Sequence, residues 1–282
     1  MPRTLGWKTL VTIAWCTTFG SATIAGFGIA TAQAPPHDPL ISVLGSGDGL
    51  SVLVRAGDAR IVIASGTDAG AFGNALGRGS PWGPRRIDLL LLSPNPNSLP
   101  VTTTAIENLD PRQTSLLGPS WGASRPVLQG VPVLPSPSRI TLPDDVVVQL
   151  EWAIDPTGEP ETMRWKLIVS HQSTRIAMIP DGSSASLLDE MEFAQGLIVL
   201  GSGVEHFLES ASTPLVVTSA STISGKSLRS AADTSTGALW GARIFPGNSI
   251  DLTMTGNGLS VPRDQAQPLR SAEPVGSPGA IP

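Results

Sequence analysis

Cysteine is nearly absent from the 282 residues: Cys16 stands alone. That excludes an intramolecular disulfide and any thiolate zinc cluster. Tyrosine is missing altogether, histidine occurs three times, and charged residues make up only 15% of the chain. So little charge excludes a coiled coil, which is rich in Glu and Lys at heptad spacing. Hydrophobic residues make up 40% of the chain, too much for one disordered throughout. Abundance lies elsewhere, in 30 Gly and 26 Pro set between short Val/Ile/Leu runs. This is the composition of many strands joined by turns. Acidic residues outnumber basic ones, 23 to 18, and the excess grows to 21 against 14 once the first 36 residues and the segment from Pro262 are set aside. A domain of net charge −7 lacks the Lys/Arg contacts by which proteins grip DNA backbone generally.

The pattern along the chain divides it into three parts. In 1–36, Arg3 and Lys8 precede Thr9 to Ala32, 24 residues without a charge. About 20 mostly apolar residues cross a bilayer, and basic residues before the span place the downstream chain outside the cytoplasm. A membrane anchor is the first reading. A cleaved signal peptide is the alternative, with small residues at Ala30–Ala32 and Ala32–Ala34 and secretion as its outcome. The stiff Pro35-Pro36-His37-Asp38-Pro39 then leads into a globular part ending at Val261. Residues 262–282, rich in Pro, Ala, Ser and Gly, read as a disordered tail. Within 37–261 the patterns predict twelve strands, the strongest being Leu40–Leu44, Leu50–Arg55, Arg60–Ala64, Ile87–Leu92 and Val146–Ala153. Helical patterns are fewer: Ala69–Leu76, Thr102–Asn108, Ser184–Glu192 and Val204–Glu209. Strands with interspersed helices predict a single layered α/β or α+β sandwich.

Gly45-Ser46-Gly47-Asp48 lies between two strand patterns, a third ends in Ala64-Ser65-Gly66, and Arg85-Arg86-Ile87-Asp88 opens the run Leu89–Leu92. This series resembles the metallo-β-lactamase-like domain at the C-terminal end of ComEC-type competence proteins, the DNA-uptake channel family. There a G-Q-G-D turn and a D-G-G strand end precede an R-R-I-D-L-L strand that delivers an H-x-H-x-D-H metal loop. Ile176–Asp181, Leu197–Thr218 and Gly237–Val261 continue the likeness to the end of the globular part. The resemblance implies an αββα sandwich.

It also implies a lost metal site. Where the family has H-x-H-x-D-H, this chain reads Pro94-Asn95-Pro96-Asn97-Ser98-Leu99, so Pro94, Pro96, Ser98 and Leu99 replace four ligands. The later His pair falls near Gly201-Ser202-Gly203, and only Asp48 and Asp181 keep family acidic residues. Hydrolytic zinc needs at least three protein ligands and an open water position. No metal or other cofactor is therefore expected. The twin prolines predict that Pro94–Leu99 is a fixed, non-helical turn.

Other chemistry is thin. Gly118-Pro119-Ser120-Trp121-Gly122 matches G-x-S-x-G, in which Ser120 would be a nucleophile. However, Pro126 leaves little room for the helix such an elbow needs. His37 reads as solvated linker, His171 as a surface residue on a turn with Gln172, and His206 as part of an acidic surface cluster. The sequence thus predicts an exported pseudoenzyme that binds or scaffolds a protein partner or ligand. The rival is a hydrolase with a relocated site, a serine enzyme at Ser120 or a metal site around Asp48 and Asp181.

Overall fold

A computed structural model describes residues 38–79, 86–119, 126–153, 164–180, 195–201, 215–223, 240–262 and 267–268, all within the compact unit His37–Pro282. The fold is strand-rich and of the α+β class, with two mixed sheets. The first sheet holds β1 (Leu40–Gly45), β2 (Leu50–Ala56), β3 (Ala59–Ala64), β4 (Arg86–Leu92), β5 (Asp110–Leu116), β13 (Ser249–Thr255) and β14 (Gly258–Ser260). Its order is β14-β13-β1-β2-β3-β4-β5, parallel only across β3-β4-β5. The second holds β6 (Ser138–Thr141), β7 (Val147–Ala153), β8 (Arg164–His171), β9 (Thr174–Ile179), β10 (Gly196–Val199), β11 (Leu215–Ser219), β12 (Trp240–Ile244) and β15 (Gln267–Pro268). Its order is β15-β12-β11-β10-β9-β8-β7-β6, parallel from β9 to β12.

Side-chain alternation explains which face each strand buries. On β7, Val148 and Leu150 point inward while Gln149 and Glu151 are exposed, as a half-buried antiparallel strand requires. The parallel strands β10 and β11 are buried at every residue, and their Leu197–Val199 and Leu215–Val217 runs carry no alternation. Val43, Val52, Ile63 and Leu91 of the first sheet share one core with Leu167, Met178, Ile198 and Val217 of the second. A further cluster lies on the other face of the first sheet, where Leu53, Val62 and Leu90 meet Phe72 and Ala75 of α1 (Ala69–Gly79) and Val101 and Ala105 of α2 (Leu99–Asn108). Asp68 caps α1, its Oδ1 accepting from the Ala71 N–H at 2.9 Å. On the same outer face Arg55 donates to Ser42 Oγ at 3.1 Å, and Ser42 donates to Asp251. Burial holds the Arg55 pKa below its ordinary value, partly offset by Asp251, because desolvation disfavours the charged form.

Three expectations are corrected. Pro94–Leu99 is not wholly non-helical: Pro94 lies outside any element, Asn95 is extended, Pro96–Ser98 forms a 3-10 turn, and Leu99 already begins α2. Proline fixes φ at a helix-compatible value and lacks only an N–H that a first turn leaves unused, so Pro96 and Pro100 open these elements rather than break them. His171 is no surface turn residue but the buried last residue of β8, its Nδ1 without a hydrogen-bond partner among the described residues. Folded pairing also passes Val261, since Gln267 and Pro268 pair with Gly241 and Trp240. The segments 9–32, Ser184–Glu192 and Val204–Glu209 lie outside the described residues, as do His37, Ser120, Asp181 and His206. Among the described residues no helix is long and apolar enough to cross a membrane.

The β6–β7 hairpin carries a measurable strain. Asp144 and Asp145 both have positive φ, 58° and 56°, in a turn closed by the Val146 N–H on the Pro143 carbonyl. Two consecutive left-handed residues define a type I′ turn, which favours Asn-Gly. Replacing Asp144-Asp145 by Asn-Gly is expected to stabilise the protein by about 1 kcal/mol, read as a higher denaturation midpoint at unchanged slope.

Candidate functional site

The ends of β1, β3, β4, β10 and β11 come together at one end of the two sheets, around the turn Gly45–Gly49. Its backbone is fixed from four directions. The Ser46 carbonyl accepts from the Thr67 and Asp68 N–H groups at 2.8 and 3.0 Å. Gly45 N–H donates to Asn248 O at 2.9 Å, and Leu50 N–H donates to Leu200 O at 2.8 Å. Ser219 Oγ, from the end of β11, donates to the Gly47 carbonyl at 3.0 Å. The last two bonds join the sheets directly. Space here is short: a Cβ on Gly49 would sit 2.7 Å from Leu200 O and 2.8 Å from Gly66 Cα.

Beneath the turn lies a chain of buried hydroxyls. Ser46 Oγ donates to Ser51 Oγ at 2.8 Å, and Ser51 Oγ donates to the Ser65 carbonyl at 2.6 Å while accepting the Ser65 N–H at 3.1 Å. Ser51 thereby uses its one proton and both lone pairs. Thr67 Oγ1 accepts from Asp48 N–H at 3.1 Å, and the Asp48 side chain is exposed. Removing the Ser51 hydroxyl leaves both backbone groups of Ser65 short of a buried partner and leaves Ser46 Oγ only its longer bond to the Leu44 carbonyl at 3.3 Å. Ser51→Ala is expected to cost about 2 kcal/mol of unfolding free energy, and Ser51→Thr less, in denaturant titrations.

The Pro94–Leu99 segment follows β4 at the same end, tied in by the Ser93 N–H on the Ala64 carbonyl at 3.0 Å. Pro94 and Ser98 are buried, Pro96 is exposed and Leu99 half-buried. The segment closes upon itself: Asn95 Oδ1 accepts from Asn97 N–H at 2.9 Å, and Ser93 Oγ accepts from Asn95 N–H at 3.3 Å. Asp48 and the four positions Pro94, Pro96, Ser98 and Leu99 therefore belong to one end of the fold, while Ser120 and Asp181 lie outside the described residues. Among the described residues no group of three or more His, Cys, Asp or Glu side chains could hold a metal ion.

Sequence reasoning misses Ser51, Thr67 and Ser219, and finds Ser46 and Ser65 only as letters of a motif. A lone serine in a strand carries no spacing signal. Only the convergence of strand ends gives these hydroxyls a joint role. No protein-family profile matches the chain, and no curated protein matches it.

Proposed function

We propose that the chain is an exported, membrane-anchored pseudoenzyme that binds or scaffolds a partner, built on a metallo-β-lactamase-like αββα sandwich and linked to DNA uptake by its likeness to the ComEC-type domain. Two mixed sheets sharing one core support the sandwich, as do α1 and α2 on the outer face of the first sheet. Full burial of Leu197, Val199 and Val216 on the other face of the second sheet is what a second outer layer requires. The single observation that carries the loss of catalysis is the occupancy of the strand-end donors. The hydroxyls of Ser46, Ser51 and Ser219 are spent on one another and on backbone groups, and Asn95 caps its own loop. The exported location rests on Arg3, Lys8 and the uncharged Thr9–Ala32 span, by the rule that basic residues stay inside.

Two measurements test this reading. Purified full-length protein is expected to show no phosphodiesterase or lactamase turnover with added zinc or manganese, and none that Ser120→Ala abolishes. A reporter fused at the C-terminus is expected to be active only outside the cytoplasm. Metal-dependent turnover, or a reporter active only inside, overturns the corresponding half.

A further inference from the structure

We propose that Asn257-Gly258, in the turn between β13 and β14, is a site of spontaneous self-modification, at which Asn257 loses ammonia and the main chain rearranges. The reaction requires the backbone nitrogen of the following residue to reach the asparagine side chain. It is fastest where that residue is glycine, which has no Cβ in the way and turns freely. The Gly258 nitrogen bonds to Asn257 Cγ, the Cγ–Nδ2 bond breaks, and ammonia leaves with the Gly258 N–H proton. Water then opens the cyclic imide. Opening at one carbonyl gives aspartate; opening at the other gives isoaspartate, with an extra carbon in the main chain.

The structure singles out this asparagine among the six in the chain. Asn95 is followed by Pro96, which has no N–H to lose. The Ser98 N–H, after Asn97, donates to Asn95 O at 3.0 Å, and the Leu109 N–H, after Asn108, donates to Ala105 O at 3.1 Å. Ala75, after Asn74, lies inside α1, where its N–H belongs to the helix ladder. Asn248 has its side-chain oxygen held by Arg78. Asn257 is exposed, and among the described residues no hydrogen bond engages its side chain. Gly258 has φ +136° and open space where a Cβ would stand. It begins β14, which pairs over only three residues at the sheet edge. So short an edge pairing opens locally at little cost. Gly49, after Asp48, is the contrast, since its turn is pinned by Thr67, Leu200 and Ser219.

The same turn joins the two sheets. Ser173 Oγ donates to Gly256 O at 3.0 Å and Thr174 Oγ1 to Thr255 O at 2.8 Å, both from the β8–β9 hairpin. An extra main-chain carbon at position 257 shifts β14 against Thr253–Thr255 and loosens this clasp.

The test is incubation of the full-length protein in mildly alkaline buffer, followed by peptide mass mapping and by labelling with an isoaspartate methyltransferase. The Asn257 peptide is expected to convert at least about tenfold faster than that of any other asparagine, and the label at this turn to be lost in Asn257→Gln. D48N puts the same dipeptide into the pinned turn Gly45–Gly49, where conversion is expected to be at least about tenfold slower than at Asn257. Aged protein is expected to show a lower denaturation midpoint in urea, and aged Asn257→Gln no such fall. Conversion of Asn257 no faster than that of Asn74 overturns the proposal, as does equal conversion at positions 48 and 257 in D48N. An unchanged midpoint after full conversion overturns the coupling of this turn to the two sheets.

Discussion

Gly66→Ala is expected to destabilise the protein by about 2–5 kcal/mol, enough to unfold a domain of ordinary stability. Two costs add at this position. The Gly66 φ is +98°. An L side chain enters that region only with strain of about 1–2 kcal/mol. The new methyl would also overlap the Ser46 carbonyl oxygen and lie 3.2 Å from its carbon. That carbonyl cannot retreat, since it accepts the Thr67 and Asp68 N–H groups that tie the turn to the start of α1. Overpacking of this kind adds about 1–3 kcal/mol. Gly77→Ala is the matching control. Gly77 lies within α1, and a Cβ there meets nothing within 4 Å. That exchange is expected to stabilise by about 0.5–1 kcal/mol. Equal effects of the two substitutions in urea would remove the close approach of Gly66 to Ser46 from the account.

Trp165→Ala is expected to cost about 3–5 kcal/mol, the range for emptying a large aromatic site in a packed core. Trp165 is 1% exposed, projects from β8 into the core shared by the two sheets, and stands opposite Trp152 on β7. Trp152 is held from outside by its Nε1 on Leu134 O at 2.9 Å and by the Ser136 hydroxyl, so it cannot move in to fill the space. Trp165→Phe is expected to lose less than half as much. A loss near zero for Trp165→Ala, with an unchanged denaturant slope, would mean that the sheets do not pack against each other there.

Much of the fold is legible because burial leaves period and run length in the sequence. The run Ile87–Leu92 predicts a strand, and β4 is buried on both faces. Val146–Ala153 predicts β7 from alternation alone. Strands without those marks escape a reading of the sequence. β12 reads Trp-Gly-Ala-Arg-Ile, where Gly241 and Arg243 interrupt the apolar run, and its place in the sheet comes from parallel pairing to β11. β6 lies at an edge, half exposed, and is set by its turn with β7 rather than by hydrophobicity. α2 begins at Leu99 rather than at Thr102, because Pro100 occupies a first helical turn, where proline is no stop. The motif letters Gly45–Asp48 and Ser93–Leu99 fall at one end of the molecule. Hydroxyl partners of one turn, such as Ser51 and Ser219, stand far apart in sequence and share no pattern.

Two carboxylates without an imidazole, Asp48 and Asp181, would leave most of a divalent ion's shell to water and hold it weakly. Neither would they draw the pKa of a bound water toward neutrality as a zinc site with three protein ligands does. Elemental analysis of the full-length protein, dialysed first against trace zinc, manganese and iron and then against buffer, measures this directly. Less than about a tenth of an equivalent of each metal is predicted from the weak site that two carboxylates make. About one equivalent of zinc, retained through dialysis and lost on Asp181→Ala, would contradict the pseudoenzyme account and install a relocated metal site in its place.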